Sequence, residues 1–386
     1  MIERRFAGIL PPKPHTAFRD AEGKLYYEEM FTRGGFSGAF TYFYHAKPIT
    51  PTRDVAVSDR GFQSPIAAED ANKPLKRRLY DSNKISAGGQ AIDKRVAVLF
   101  NRDVTVYLLR ATETDDAYFA NGDGDELWYV QDGAARLESP CGWLDVKSGD
   151  YVWVPHSMIH RWHPKGEMRA MVFEAPDGVM IPHDFRNPVG QLKMDAPYTH
   201  RDFVHPEGPL AQDGPLTLIT KKGGVFSRYT MAHAPMDVVG WDGFVYPWAF
   251  NIEKYQPKTG LVHLPPTIHS TFASPGFLIC SFVPRLVDYH PQAIPCPYPH
   301  SSVDCDEIIL YLRGNFTSRK GVGPGSISLH PAGIAHGPHP GAYEGSIGTT
   351  RTDELAVMMD TYKPLVATAQ ARNIEVDGYH ESWSNH

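Results

Sequence analysis

The chain has 386 residues, 42% of them hydrophobic and 21% charged, so it can bury one or more sizeable cores. A formal net charge of -6 leaves no basic footprint for nucleic acid, and no apolar run reaches the ~18 residues of a membrane span. Four cysteines (Cys141, Cys280, Cys296 and Cys305) include no C-x-x-C pair and are too few for a disulfide scaffold. The opening MIERRFAGILPPKPH has no signal-peptide core. Both features lead to the expectation of a reducing, cytoplasmic setting.

With 34 glycines and 33 prolines, the composition favours many short strands over long helices. Residues 1–95 read as an elaborated N-terminal β segment. LYYEEM and GAFTYFYH are its strands, GGFSG breaks them, and the polar residues 61–90 are expected to cover the surface. RVAVLF and VTVYLLRA flank a tight turn at Asn101–Asp103. With ARLES, GWLDV, DYVWVP and RAMVFEA they predict a first barrel over 96–180. Residues 181–235, with NPVG, HPEGP and QDGPL, read as a linker or wrapping segment. Strands resume in FVYPWAFN, GLVHLP, FLICSFVPR and LAVMMDTY, predicting a second barrel over 236–365 and a polar, frayed tail over 366–386.

The chemistry concentrates between Pro299 and Pro340. His300 is followed by six residues, Glu307, six residues and Gly314; Gly325 by five residues, Pro331, Ala332, Gly333, two residues and His336. These are the spacings of the two cupin motifs, with Ser302 in the slot of the second histidine. Two histidines and one carboxylate remain, the ligand set of a facial triad for non-heme Fe(II) with open positions. Strand alternation points Glu307 inward with Ile309, Tyr311 and Arg313. A second copy of the template holds Glu126, Gly133, Gly149, Pro155 and His160, but no histidine precedes Glu126 at the ligand slots. The pair Glu126 and His160 is expected either to join each other or to bind nothing. The fold expectation is all-β: a bicupin whose first barrel is a degenerate copy.

Further residues carry a family likeness. DVVGWDG at 237–243, PPTIHSTFASPGFLICSFVPR at 265–285, LRG at 312–314, Ser328-Leu329-His330 and His336-Gly337-Pro338 resemble homogentisate 1,2-dioxygenases. The resemblance implies an Fe(II) enzyme that converts homogentisate and O2 to maleylacetoacetate in aromatic amino-acid catabolism. It implies a homo-oligomer, trimer-based; charge and hydropathy lead to the expectation of no nucleic-acid or membrane partner. It implies His300, Glu307 and His336 as iron ligands, with His336 also facing substrate, and it places the family's proton-handling histidine on His269. Arg313 falls on the family's arginine and either orients a carboxylate or holds a structural ion pair. Departures are Ser301 and Ser302 after His300, a spacing to Glu307 one residue longer, His339 after HGP, and Phe316 where the family has a tyrosine. Tyr311 is the expected substitute. These departures suggest a shorter, divergent branch. The alternatives are a cupin dioxygenase for another hydroquinone or catechol, such as gentisate, and a non-oxygenase metal-binding cupin. Ser302 speaks against a structural Zn(II) site, which normally has four protein ligands.

Overall fold

Nearly all regular structure is β in the computed structural model, which describes residues 2–384 apart from 211, 213, 317 and 320. One barrel is built on an eight-stranded sheet. Its spatial order is Phe203–Val204, Trp248–Asn251, Asp150–Val154, Asp125–Asp132, Met168–Ala175, Thr105–Ala111, Val96–Phe100 and Val366–Ala367. The other is built on a six-stranded sheet, in the order Ser270–Ser274, Phe277–Phe282, Leu355–Thr361, Asp306–Arg313, Ser326–His330 and Arg78–Asp81. Both sheets are antiparallel, as cupin-type jelly rolls require, and their central strands are buried at successive residues. The large apolar core runs continuously from Trp128 and Trp162 in the first barrel to Ile308 and Met359 in the second.

The two barrels exchange strands. Trp248–Asn251 pairs with Asp150–Val154, and Val366–Ala367 with Val96–Phe100, so both complete the first barrel from outside residues 96–180. In return Arg78–Asp81 closes the edge of the second barrel against Ser326–His330. The stretch 61–90 is therefore not a simple surface cover: Leu79 and Tyr80 are buried, and the buried Arg78 guanidinium donates to Glu375 at 2.6 Å.

Three further expectations change. Within 181–235, Leu216–Lys222 and Val225–Met231 form a hairpin that joins Thr52–Val57 and, in parallel, Tyr118–Asn121. GLVHLP is no strand; consecutive prolines at 265 and 266 remove two ladder donors, and a short 3-10 turn, Pro266–His269, follows. The tail is packed rather than frayed. Thr368 caps the helix Ala369–Asn373, and the turn Tyr379–Trp383 lies against the second barrel. There the Trp383 indole N–H donates to the Gly337 carbonyl at 3.3 Å and its rings stack on His339 at 3.8 Å.

DVVGWDG is a packing motif. Val238–Gly243 lies between Arg5–Gly8 and Phe40–His45. A Cβ on Gly240 would sit 2.0 Å from the Ile9 carbonyl oxygen, so a glycine is needed for the first strand to approach. The four cysteines are free, and no helix among the described residues is long and apolar enough to cross a membrane.

Candidate metal centre and aromatic cavity

Strand pairing brings the three ligand candidates together. His300 and His336 exchange backbone hydrogen bonds, each N–H donating to the other's carbonyl at 2.8 Å, and their ring centroids lie 4.3 Å apart. That approach depends on Gly337, where a Cβ would meet Pro299 Cα at 2.7 Å. Glu307 comes from the strand Asp306–Arg313, opposite His330 on one side and Asp360 on the other. Its neighbour Asp306 accepts from the amides of Ala332 and Leu365, both at 2.7 Å, which ties down the loop carrying His336. One ligand atom from each of His300, Glu307 and His336 lies within 4.8 Å of the others.

The donor chemistry fits a divalent ion. His300 Nδ1 lies 3.2 Å from the Tyr298 carbonyl and His336 Nδ1 3.3 Å from that of Ile334. Those contacts favour Nδ1–H tautomers and leave both Nε2 atoms as ligands. His336 Nε2 is buried and has no hydrogen-bond partner among the described residues, an orphan that a metal would satisfy. Burial pushes the Glu307 carboxyl up, but the hydrogen bond from His330 at 2.6 Å and the positive charge of Arg319 outweigh it and hold the group down at about 2. Glu307 is therefore ionised. His330 is itself pushed down to about 4, first by burial, so a neutral imidazole orients the carboxylate.

His300 and Glu307 line a cavity of about 100 Å³; His336, expected to face substrate as well, is not on its wall. Phe282, Ile309, Phe316 and Met358 supply apolar wall, and His269, Tyr311, Arg285 and Arg319 supply polar groups. His269 sits at the end of its 3-10 turn, buried against Phe282 with ring centroids 4.6 Å apart. Its Nδ1 has no partner among the described residues, and burial, helped by Arg285 and His263, pushes its pKa down to about 3. It is a neutral acceptor across the physiological range. The Tyr311 hydroxyl lies 3.1 Å from Ser328 Oγ, and its ring meets Phe316 edge-on.

Arg313 is placed otherwise than expected. A register shift between Tyr311 and Arg313 breaks the alternation, and the side chain lies outside the cavity, 56% exposed and 2.6 Å from Glu253. The cavity arginines are Arg285, paired with Glu354 at 2.9 Å, and Arg319, whose side chain is 6% exposed. The motif spacings give no role to Arg319, which lies beyond the strand Asp306–Arg313. His330 stood in view in the SLH motif, without a role.

In the first barrel the corresponding glutamate is engaged differently. Glu126 pairs with buried Arg95 and accepts from Asn121 at 2.8 Å and the Trp128 indole at 2.9 Å. The Arg95 guanidinium is packed over the rings of Phe62, Phe119 and Trp128 at 4.6, 4.9 and 4.7 Å. His160 Nδ1 lies 2.9 Å from the Met158 carbonyl. A protein cation thus satisfies Glu126.

Two β-barrels, the second holding a 2-His-1-carboxylate cluster at an aromatic-lined cavity, define a protein of the bicupin class. Residues 83–252 match the family model for the homogentisate 1,2-dioxygenase N-terminal region. A protein of Saccharolobus solfataricus named "Putative dioxygenase" is 35% identical over 97% of this chain and 97% of its own length. Homogentisate 1,2-dioxygenase of Bradyrhizobium diazoefficiens is 28% identical over 72% of this chain, a match spanning 65% of that enzyme. Among solved structures, a cupin 2 conserved barrel domain protein from Leptotrichia buccalis is similar with a TM-score of 0.37 and 10% identity, over 75% of this chain and 99% of that one. The chain belongs to the homogentisate 1,2-dioxygenase family, in a divergent branch, and is a dioxygenase-like enzyme.

Proposed function

We propose that this chain is an Fe(II)-dependent ring-cleaving dioxygenase that converts homogentisate and O2 to maleylacetoacetate, with His300, Glu307 and His336 holding the metal. The observation that carries the reading is the convergence of those three side chains within 4.8 Å, with His300 and Glu307 lining an aromatic-walled cavity, in a chain of this family. A ferrous ion there supplies the redox link between an electron-rich ring and O2.

The chain's own groups do the rest. Phe282, Phe316, Ile309 and Met358 hold the ring and keep water out, which strengthens every charge interaction inside. Glu307 stays ionised without the metal's help, because His330 supports the anion. His269 accepts the proton of a substrate hydroxyl. Its low pKa in the empty cavity makes it a weak base, and the negative charge of a bound phenolate raises it toward a useful value. Tyr311, tied to Ser328, offers a wall hydroxyl that packs edge-on against Phe316, the position where the family has a tyrosine.

Phe316 favours one second reading, a related hydroquinone or catechol acid such as gentisate, since the hydroxyl of the family tyrosine is absent. Oxygen uptake by iron-loaded protein against a panel of hydroquinones and catechols tests both. Homogentisate as the best substrate supports the first reading, gentisate the second, and no uptake with any of them refutes both.

A further inference from the structure

Beside His300 the cavity wall is one chain thick. In residues 294–298 successive side chains turn to opposite sides: Pro295 and Pro297 line the cavity that holds His300 and Glu307, while Ile294 and Cys296 line a second hollow of about 200 Å³ on the outer side. Residues 262–264 do the same, with Leu264 inside and Val262 outside. Two side chains, His263 and Tyr298, line both spaces. Their rings meet edge-on with centroids 5.2 Å apart.

The two rings are not held alike. His263 Nδ1 lies 3.1 Å from the Asp288 carboxylate. The segment carrying Asp288 is itself pinned, because the amides of Tyr289 and His290 donate to the carbonyls of Gly260 and Leu261 at 3.3 and 2.8 Å. The Tyr298 side chain is 41% exposed, and its hydroxyl makes no hydrogen bond among the described residues. Its backbone is committed: the carbonyl lies 3.2 Å from His300 Nδ1, and Pro297 restricts the chain before it. The Tyr298 ring is therefore free to turn about its side-chain torsions while the carbonyl that orients His300 stays in place.

We propose that Tyr298 is a gate that closes against His263, and that the outer hollow is an entry subsite where a phenol binds before it passes to the metal centre. The hollow suits that class. Tyr343 and His290 add an aromatic ring and an imidazole to Val262 and Ile294, and no Asp, Glu, Lys or Arg lines it among the described residues. A flat ring with hydroxyl groups finds apolar surface and hydrogen-bonding groups there together. The proposal rests on the inner cavity being the aromatic-substrate site, and it assigns Tyr298 to passage rather than to chemistry.

The test mixes 4-nitrocatechol, whose absorbance shifts when it binds a metal, with iron-loaded full-length protein in a stopped-flow cell without oxygen. In the parent the observed rate should level off as probe concentration rises, because filling of the entry subsite is followed by a slower passage. A rate that stays linear in probe, or a parent that does not bind it, overturns the proposal with no variant needed. A gate is a barrier common to entry and exit, so Tyr298→Ala should raise the association and dissociation rates together, each about fivefold or more. Loss of an ordinary wall contact raises dissociation alone. Tyr298→Phe should keep both rates within about twofold of the parent, since the ring and not the hydroxyl closes the gap. Ala293→Trp fills the outer hollow from a partly exposed position and should slow both rates, with the affinity kept within about twofold. An association rate within about twofold of the parent in folded Tyr298→Ala or folded Ala293→Trp overturns the proposal. If the rates respond as expected but the iron-loaded protein consumes no O2 with any hydroquinone or catechol, the dioxygenase reading fails and the gate stands. If O2 is consumed and the rates do not respond, the gate fails and that reading stands.

Discussion

Changing His269→Ala removes a neutral, unpartnered imidazole from the cavity wall that is not a ligand candidate and does not touch Glu307. A positioned general base is worth about 10²–10⁴ in rate, or about 3–5 kcal/mol of barrier. Iron content should be unchanged, because His269 stands outside the 300–307–336 cluster. Stability gives a second readout. The folded pKa of about 3 lies below the ordinary value of 6.5, so the neutral imidazole's contribution is fully present above about pH 6.5 and is lost as pH falls toward 3. At pH 4 that is at most about 3.5 kcal/mol, 2.5 pH units at ~1.4 kcal/mol each. His269→Ala should therefore lose less stability on acidification than the parent. Steady-state oxygen uptake at saturating iron and urea melts at pH 7 and pH 4 measure both effects. A rate within about threefold of the parent, with the pH dependence of stability reduced, would refute the catalytic role and leave His269 as a packed core residue.

The other predictions concern metal and assembly. Glu307→Ala should lower iron content and turnover together, whereas His160→Ala should leave iron content unchanged, because Glu126 is held by Arg95 rather than by a metal; elemental analysis of reconstituted protein decides between them. Trp383→Ala removes the indole donor from the Gly337 carbonyl and the stack on His339, next to ligand candidate His336. It should raise the rate of iron loss to a chelator several-fold with little change in the circular dichroism of the barrels. Light scattering should report a mass that is a multiple of three times 43.1 kDa; a monomer at micromolar concentration contradicts the trimer-based assembly.

What could be read from the residues was local. The motif spacings span one short stretch of chain around the strands Asp306–Arg313 and Ser326–His330, so they brought His300, Glu307 and His336 into one reading before any contact was known, although the two histidines lie beyond the strands on an isolated bridge. Arg313 shows where alternation stops being reliable, since the register slips between Tyr311 and Arg313 and the side chain turns out of the cavity. Arg319 sits beyond the strand, where no periodicity governs direction. The strand exchange was invisible for a different reason: pairing Arg78–Asp81 with Ser326–His330, or Val366–Ala367 with Val96–Phe100, joins segments more than 200 residues apart, and nothing in either short segment names its partner. Packing of the polar C-terminal segment likewise depends on a surface, around Gly337 and His339, that is built elsewhere in the chain.

The central claim is that the 300–307–336 cluster runs O2-dependent ring opening. Iron-loaded protein given homogentisate under ¹⁸O2 tests it most directly by mass spectrometry of the product. The account predicts a ring-opened product carrying both labelled oxygen atoms, and its disappearance in Glu307→Ala. A product formed without O2, a product with the ring intact, or undiminished turnover in Glu307→Ala would contradict it.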